Sequence, residues 1–579
     1  MWADDFQIFQ QRQVLFVMRH FKKRIRLSKS IKMKINLSTA LLIILYFFTG
    51  KLQAQNLDNV NMTSGGKLKP LQAIMDIRHY TIALSMDIDK KAINGYTEIE
   101  LLLTSSTDTL LFDFTHILKV NKIVVDNIKQ PFILKKDQIY ITNKSAFTVA
   151  KHTVRIYYEG NPPIPVFPPW DSGFTWTKDR NGNSFVNITC QGEGGKIYFP
   201  CKDHPSDEAN EGVDLFITIP NNLSVAGPGL LQSVKAEKNG KATWHWKTNY
   251  TISNYCIVFN IGKYKVYNRN YTTCEGNIVP IQLYILEQDT AKAKYLLDIK
   301  ERDAHILEKY FGEYPWVKEK IGIAEVPNSG MEHQTMITFS DSLEFTSFPG
   351  NLDFADVYFH EFAHEWWANK ITNKDWSHMW IQEGIATYGS ALAMRELGGE
   401  AAYDSIMLKV RFALAAYGNE KPMVSHDGST VKEVYTPDIY CKGAMLMHTL
   451  RYVLGDTLFF PALKKFITNV KYPYDKFFIS DDVEQFFIKE TGKDLTPIFN
   501  FYLRTTNEIE INVYKLNSDT YFVAIDNALI ESLPLDISTA TGVVHTTMNA
   551  TKDKPFWIKS KTLPIIDPRG WYFRKVIYH

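Results

Sequence analysis

Hydrophobic and polar positions alternate with a period of two through the first part of the chain. Tyr80, Ile82, Leu84, Met86 and Ile88 are apolar, while Thr81, Ala83, Ser85 and Asp87 between them are small or polar, the pattern of a half-buried strand. Asn94-Gly95, Asn181-Gly182 and Asn239-Gly240 stand between strand-like runs, where tight hairpins turn. Residues 55–265 therefore read as an all-β domain, with the proline-rich stretch 161–169 as a rigid loop inside it. From 266 the period lengthens. Leu296, Ile299, Ile306 and Tyr310 fall at helical spacing within residues 290–311, and Gly312 stops the run. Further helices are predicted over 356–370, 379–397 and 442–453, giving a mostly helical domain over residues 266–506. Alternation returns at Ile509, Ile511 and Val513 and again at Tyr521, Val523 and Ile525, so residues 507–579 predict a small β-sandwich-like domain. The fold class is multidomain α+β.

Residues 37–50 are different in kind: one apolar run, preceded by a basic stretch and followed by Leu52-Gln53-Ala54. That order is a secretory signal peptide, and the run is shorter than the ~20 residues of a spanning helix. Residues 1–54 are assigned to this leader, with cleavage expected after Ala54. The stretch before Met33 is too long and basic for an ordinary leader, so the true start is expected at Met33. The mature protein is then secreted or periplasmic, with no stable membrane insertion; the alternative is an anchor formed by the uncleaved run. Outside the cytoplasm Cys190, Cys201, Cys256 and Cys274 could oxidise, in a pairing the spacing leaves open.

Composition narrows the classes. The 579 residues predict three or four domains at roughly 150 residues each. Lys and Arg number 65 against 63 Asp and Glu, so no basic field points to nucleic acid. A hydrophobic share of 45% with 22% charged residues excludes a largely disordered chain.

The chemistry concentrates in His360-Glu361-Phe362-Ala363-His364. Histidines four apart on a helix differ by about 40° in azimuth and roughly 6 Å along the axis, so both rings can address one ion. Glu361 sits beside the first ligand but is turned from the metal, where it can reach the metal's solvent as a general base. Such a motif arises by accident in about 2% of chains of this composition, and a second feature makes accident untenable. Eighteen residues after His364 comes Glu383, within Trp380-Ile381-Gln382-Glu383-Gly384. A loop at 372–377 lets a second helix fold back and offer Glu383 as third ligand. Two His and one Glu leave a tetrahedral position open, as in catalytic rather than structural zinc sites.

This spacing resembles the aminopeptidase N-type zinc metallopeptidases, peptidase family M1. Ser329-Gly330-Met331-Glu332-His333 is similar to that family's Gly-Ala-Met-Glu-Asn exopeptidase motif, and Tyr440-Cys441-Lys442-Gly443 to its Tyr-x-Lys-Gly motif. Gln191-Gly192-Glu193, followed by Phe199-Pro200-Cys201-Lys202-Asp203, resembles the β-domain segment that lends a second glutamate to the active site. The resemblance runs from about Tyr80 to Arg504. It implies a saddle-like N-terminal β domain, a thermolysin-like catalytic domain and one Zn²⁺ held by His360, His364 and Glu383. Glu361 is then the base, Tyr440 the oxyanion donor, and Glu332 and Glu193 the carboxylates for the substrate's α-ammonium group. Gly330 and Met331 would lie along the substrate backbone. Taken singly, Glu332 reads as a surface carboxylate and Tyr440 as a core tyrosine; the joint motifs raise them above that.

His333 and Ser329 depart from the family's Asn and Gly, which puts the backbone contacts and first-pocket preference in question. Residues 507–579 do not accommodate the large helical domain that roofs the cleft in many relatives, so an open site is expected. The expected activity is zinc-dependent removal of N-terminal residues from peptides with a free amine. Two alternatives remain: the leukotriene-epoxide-hydrolase branch of the same family, and a non-catalytic peptide-binding protein. Oligomeric state is left open.

Overall fold

Tyr80 and its alternating neighbours lie at the centre of an eight-stranded sheet. The computed structural model describes residues 62–342, 346–348, 352–525, 533–548 and 555–579; the leader assigned to residues 1–54 lies outside them. Strand Met75–Asp87 pairs antiparallel with Ala92–Leu103 and parallel with Val213–Pro220, and Tyr80, Ile82, Leu84 and Met86 are buried as the alternation predicts. A four-stranded sheet that includes Gly173–Lys178 and Ser184–Thr189, a three-stranded sheet and a two-stranded pair of Glu208–Ala209 with Ile252–Ser253 complete the N-terminal β region.

Two of the three expected Asn-Gly turns form, at Asn181-Gly182 and Asn239-Gly240, with positive φ at Gly182, Asn239 and Gly240. Asn94-Gly95 does not. It lies inside a strand, paired with Ser85 and Leu84, and a Cβ on Gly95 would sit 1.9 Å from the Ala83 carbonyl oxygen. The chain reverses earlier, where the Asp87 carboxylate accepts the Lys90 N–H at 3.1 Å and Lys91 takes φ 53°. Here glycine serves a close backbone approach, not a turn.

The helical texture expected from 266 also needs correction. A four-stranded sheet of Tyr264–Thr272, Ile278–Leu286, Ile321–Val326 and Ile337–Ser340 precedes most of the helices. Helix α1 (Ala293–Phe311) connects its two central, parallel strands. The later helices of eight or more residues are α2 (Asp356–Ala363), α3 (Trp380–Tyr417, interrupted at Gly399), α4 (Pro437–Leu454), α5 (Asp456–Thr468), α6 (Ser480–Thr491) and α7 (Thr496–Arg504). Lys300 of α1 is fully buried against α2. Its ammonium donates to the Tyr358 carbonyl at 2.7 Å and lies 3.6 Å from the Tyr358 ring centroid, and burial pulls it down to about 7.

The C-terminal strands form a four-stranded and a three-stranded sheet. All five cysteines are free thiols, so none of the pairings that the spacing left open is formed here. Burial pushes Cys190, Cys201 and Cys256 well up, away from the thiolate that disulfide exchange requires. Among the described residues no helix is long and apolar enough to cross a membrane.

Candidate active site

Helix α2 ends one residue before His364, not at 370 as the sequence suggested. His364 keeps helical dihedrals as the cap, so both histidines still face one side. Beyond it the chain breaks away, with Ala368 at φ 150°. The reversal brings the Trp367 carbonyl to 2.8 Å from His364 Nδ1. With its proton committed there, a neutral His364 ring presents Nε2 as a lone pair. That lone pair lies 3.0 Å from His360 Nε2, and Glu383 Oε2 lies 3.3 and 3.4 Å from the two nitrogens.

The near-equal spacing identifies what belongs between these atoms. Ligands about 2.0–2.1 Å from a tetrahedral ion are themselves about 3.3–3.4 Å apart. Burial disfavours an imidazolium at His364, yet Glu383, Glu332 and Glu361 together raise it to about 10. The pocket thus attracts positive charge to the point where the donor atoms converge. Among the described residues this is the cluster of His, Cys, Asp and Glu side chains able to hold a metal. Two nitrogens and one oxygen suit Zn²⁺ with one position open.

Gly330 explains how Glu361 is placed. A Cβ there would meet the Glu361 Cγ at 2.7 Å and the Thr338 carbonyl oxygen at 2.7 Å. The missing side chain leaves room for the Glu361 side chain beside the Thr338 carbonyl. The next residue, Met331, is held in an antiparallel bridge to Thr338, and both it and Glu332 are buried. Asn369 donates to the Glu332 carbonyl at 2.9 Å, and Gln191 donates to its carboxylate. Glu365, directly after His364, ties the two segments together: it accepts from Thr335 N–H at 2.9 Å, Trp316 Nε1 at 2.7 Å and Asn369 Nδ2 at 3.1 Å.

From the β region, Gln191 rather than Glu193 reaches Glu332. Glu193 is half-buried on the same turn, its backbone N–H on Ser172 Oγ at 2.8 Å. Burial raises it to about 7, against the pull of Lys196. His333 is buried with neither ring nitrogen hydrogen-bonded, and burial lowers it to about 3, so it sits in the core as a neutral ring.

Two motif glycines bring Tyr440 to the metal-binding trio. A Cβ on Gly384 would lie 2.6 Å from Gly443 Cα and 2.8 Å from the Ile439 carbonyl oxygen. Helices α3 and α4 therefore cross backbone against backbone beside Glu383 and one turn after Tyr440. The Tyr440 ring centroid stands 6.1 Å from that of His360, and its hydroxyl is 2.6 Å from that of Tyr435. Gly384→Ala gains about 1 kcal/mol of helix propensity but overpacks this crossing, at about 1–3 kcal/mol. We expect a net loss of thermal stability together with zinc affinity, read by melting curves and metal titration.

Two family models match, the peptidase M1 N-terminal domain over residues 77–256 and the peptidase family M1 domain over 295–502. The chain belongs to peptidase family M1. Similar proteins include the probable aminopeptidase 2 of Sulfurisphaera tokodaii, 24% identical over 69% of this chain and 50% of that protein, and the leucyl aminopeptidase of Saccharolobus solfataricus, 22% identical over 73% and 53%. The chain spans about half the length of the curated relatives it matches. An M1 zinc metallopeptidase from Deinococcus radiodurans has the same fold, with a TM-score of 0.63 at 18% identity over 76% of this chain and 96% of that one. Aminopeptidase A of Legionella pneumophila superposes with a TM-score of 0.72 over 89% and 61%, at 18% identity. The M1 motifs account for His360, Glu361, His364, Glu383, Glu332 and Tyr440. Gln191 belongs to the Gln-Gly-Glu motif without a role in it, Glu365 is marked only by following His364, and Tyr435 carries no sequence signal.

Proposed function

We propose that this M1 chain is a zinc aminopeptidase that releases the N-terminal residue of peptides with a free amine. The observation that carries the reading is Glu332. Its carboxylate is buried beside the metal trio, and among the described residues no lysine or arginine pairs with it. Burial raises its pKa, so it is costly as an anion until a cation arrives. A substrate's α-ammonium group is such a cation, and a blocked terminus is not.

The residues then divide the work. His360, His364 and Glu383 would hold Zn²⁺, a Lewis acid toward water and the scissile carbonyl when bound. Glu361 takes a proton from the attacking water as its oxygen bonds the carbonyl carbon, and delivers that proton to the amine as the C–N bond breaks. Tyr440 donates its hydroxyl toward the oxygen that gains charge. Gln191 orients Glu332, and Glu193 adds a second negative group for the ammonium.

The test is a panel of aminoacyl anilides with and without a chelator, beside N-acetylated counterparts. We expect hydrolysis of the free-amine series, loss on zinc removal and recovery on zinc addition. Faster cleavage of the acetylated compounds would overturn the exopeptidase reading. The Glu193 carboxyl adds a pH signature. It is neutral below about 7 and binds ammonium only when ionised, so KM should fall as pH rises from about 6 to about 7.5. Glu193→Gln should flatten that limb; an unchanged profile counts against the assignment.

We also propose that the protein acts outside the cytoplasm, secreted or periplasmic. The support is the basic, apolar, small-residue order of residues 33–54. Sequencing the N-terminus of chain expressed from Met33 should read Gln55 in the exported fraction; an uncleaved product in the membrane fraction would favour the anchored form.

A further inference from the structure

Residues 62–66 run as a strap between the two parts of the active site. Ser64 N–H donates to the Gly192 carbonyl, Gly66 N–H to Ser429, Val431 N–H to Ser64 and Lys432 N–H to Met62, all at 3.0–3.1 Å. One side of the strap is therefore the turn bearing Gln191 and Glu193. The other is the segment leading to Tyr435. Side chains lock it: Ser64 Oγ donates to Asp203 Oδ1 at 2.8 Å, and Trp376 lies against Gly65, where a Cβ would fall 2.2 Å from Trp376 Cδ1. Gly65 also takes φ 81°, which a side chain would strain.

The strap delivers Met62. Its side chain is 3% exposed and lies against Gly192, where a Cβ would come 3.4 Å from Met62 Cγ. With Trp170, Gln191, Met331 and Tyr435 it lines a cavity of about 10 Å³, room for about one water or a methyl group. Two of these lining residues adjoin Glu332, Gln191 as its hydrogen-bond donor and Met331 as its chain neighbour.

We propose that Met62 closes the first-residue pocket and restricts it to small side chains, so that the preferred substrates begin with alanine, glycine or serine. This rests on the aminopeptidase reading, since the cavity matters as a first-residue pocket only if Glu332 holds the substrate amine. A pocket that lacks space for each added methylene discriminates about 10–200-fold. Removing three heavy atoms from its wall relaxes that.

The experiment compares leucyl and alanyl anilides on the zinc-loaded full chain. Met62→Ala should raise the ratio of kcat/KM for leucine over alanine by about tenfold or more, and Met62→Leu should return it towards the original value. Gly65→Ala, outside the pocket, should shift the ratio in the same direction by dislodging the strap. A loss of folding alone would lower both rates without moving their ratio; if Met62→Ala does not fold, Met62→Val reads the same ratio. An unchanged ratio in a chain that cleaves anilides overturns the role of Met62 and leaves the aminopeptidase reading standing. A zinc-loaded chain that cleaves no anilide overturns that reading instead. The proposed substrate preference falls with it, and calorimetry with free L-leucine and L-alanine then tests only the steric role of Met62: tighter leucine binding by Met62→Ala supports that role, and no change overturns it.

Discussion

Glu361→Gln is expected to retain one zinc per chain and to lose about 10²–10⁴-fold in kcat, the contribution of a positioned general base. The substitution keeps the shape of a side chain buried against Gly330 and removes only its capacity to accept a proton. The metal-binding donors belong to His360, His364 and Glu383, so metal content is a separate readout. It should match the parent by elemental analysis while anilide hydrolysis falls. Near-normal turnover by the glutamine variant would remove Glu361 from the mechanism.

Tyr440→Phe should lower kcat by about 10²–10³ and leave KM nearly unchanged, as expected for a donor that acts on charge developing in the transition state. Burial first, and then the charge of Glu383, hold the Tyr440 phenol well above its ordinary pKa, so it remains a donor throughout the working range. Its hydroxyl hydrogen can point at substrate only if Tyr435 supplies the hydrogen in the pair they form. Tyr435→Phe should therefore cost less, about tenfold, the worth of one neutral hydrogen bond. Steady-state kinetics on one anilide separates the two. Equal effects, or a fully active Tyr440→Phe, would dismiss the oxyanion role.

The trio was legible because its geometry is local. His360 and His364 share a helix face by period alone, and Glu383 needs one reversal to meet them. Helix ends were not legible, because α2 stops where His364 engages the Trp367 carbonyl and Ala368 leaves helical space, a contact no periodicity records. Asn94-Gly95 misled for the same reason: the glycine answers to the Ala83 carbonyl on a neighbouring strand. The strand at Ile321–Val326 is buried along its whole length, and Ile278–Leu286 alternates only at first before its last four residues are all buried, so neither shows a sustained period of two. Glu365, Tyr435 and Met62 acquire their surroundings only from tertiary folding. Met62 lies 298 positions before His360 in the chain, with nothing in its local pattern to connect them.

The backbone at Met62 is stitched to Lys432 and that at Ser64 to Gly192, so an appendage spliced directly ahead of Met62 pulls on the strap. Affinity tags and fusion partners at that end should be removable, with a spacer and a protease site ahead of the strap. Kinetic constants taken on a protein still carrying such an appendage would report the appendage as well as the enzyme.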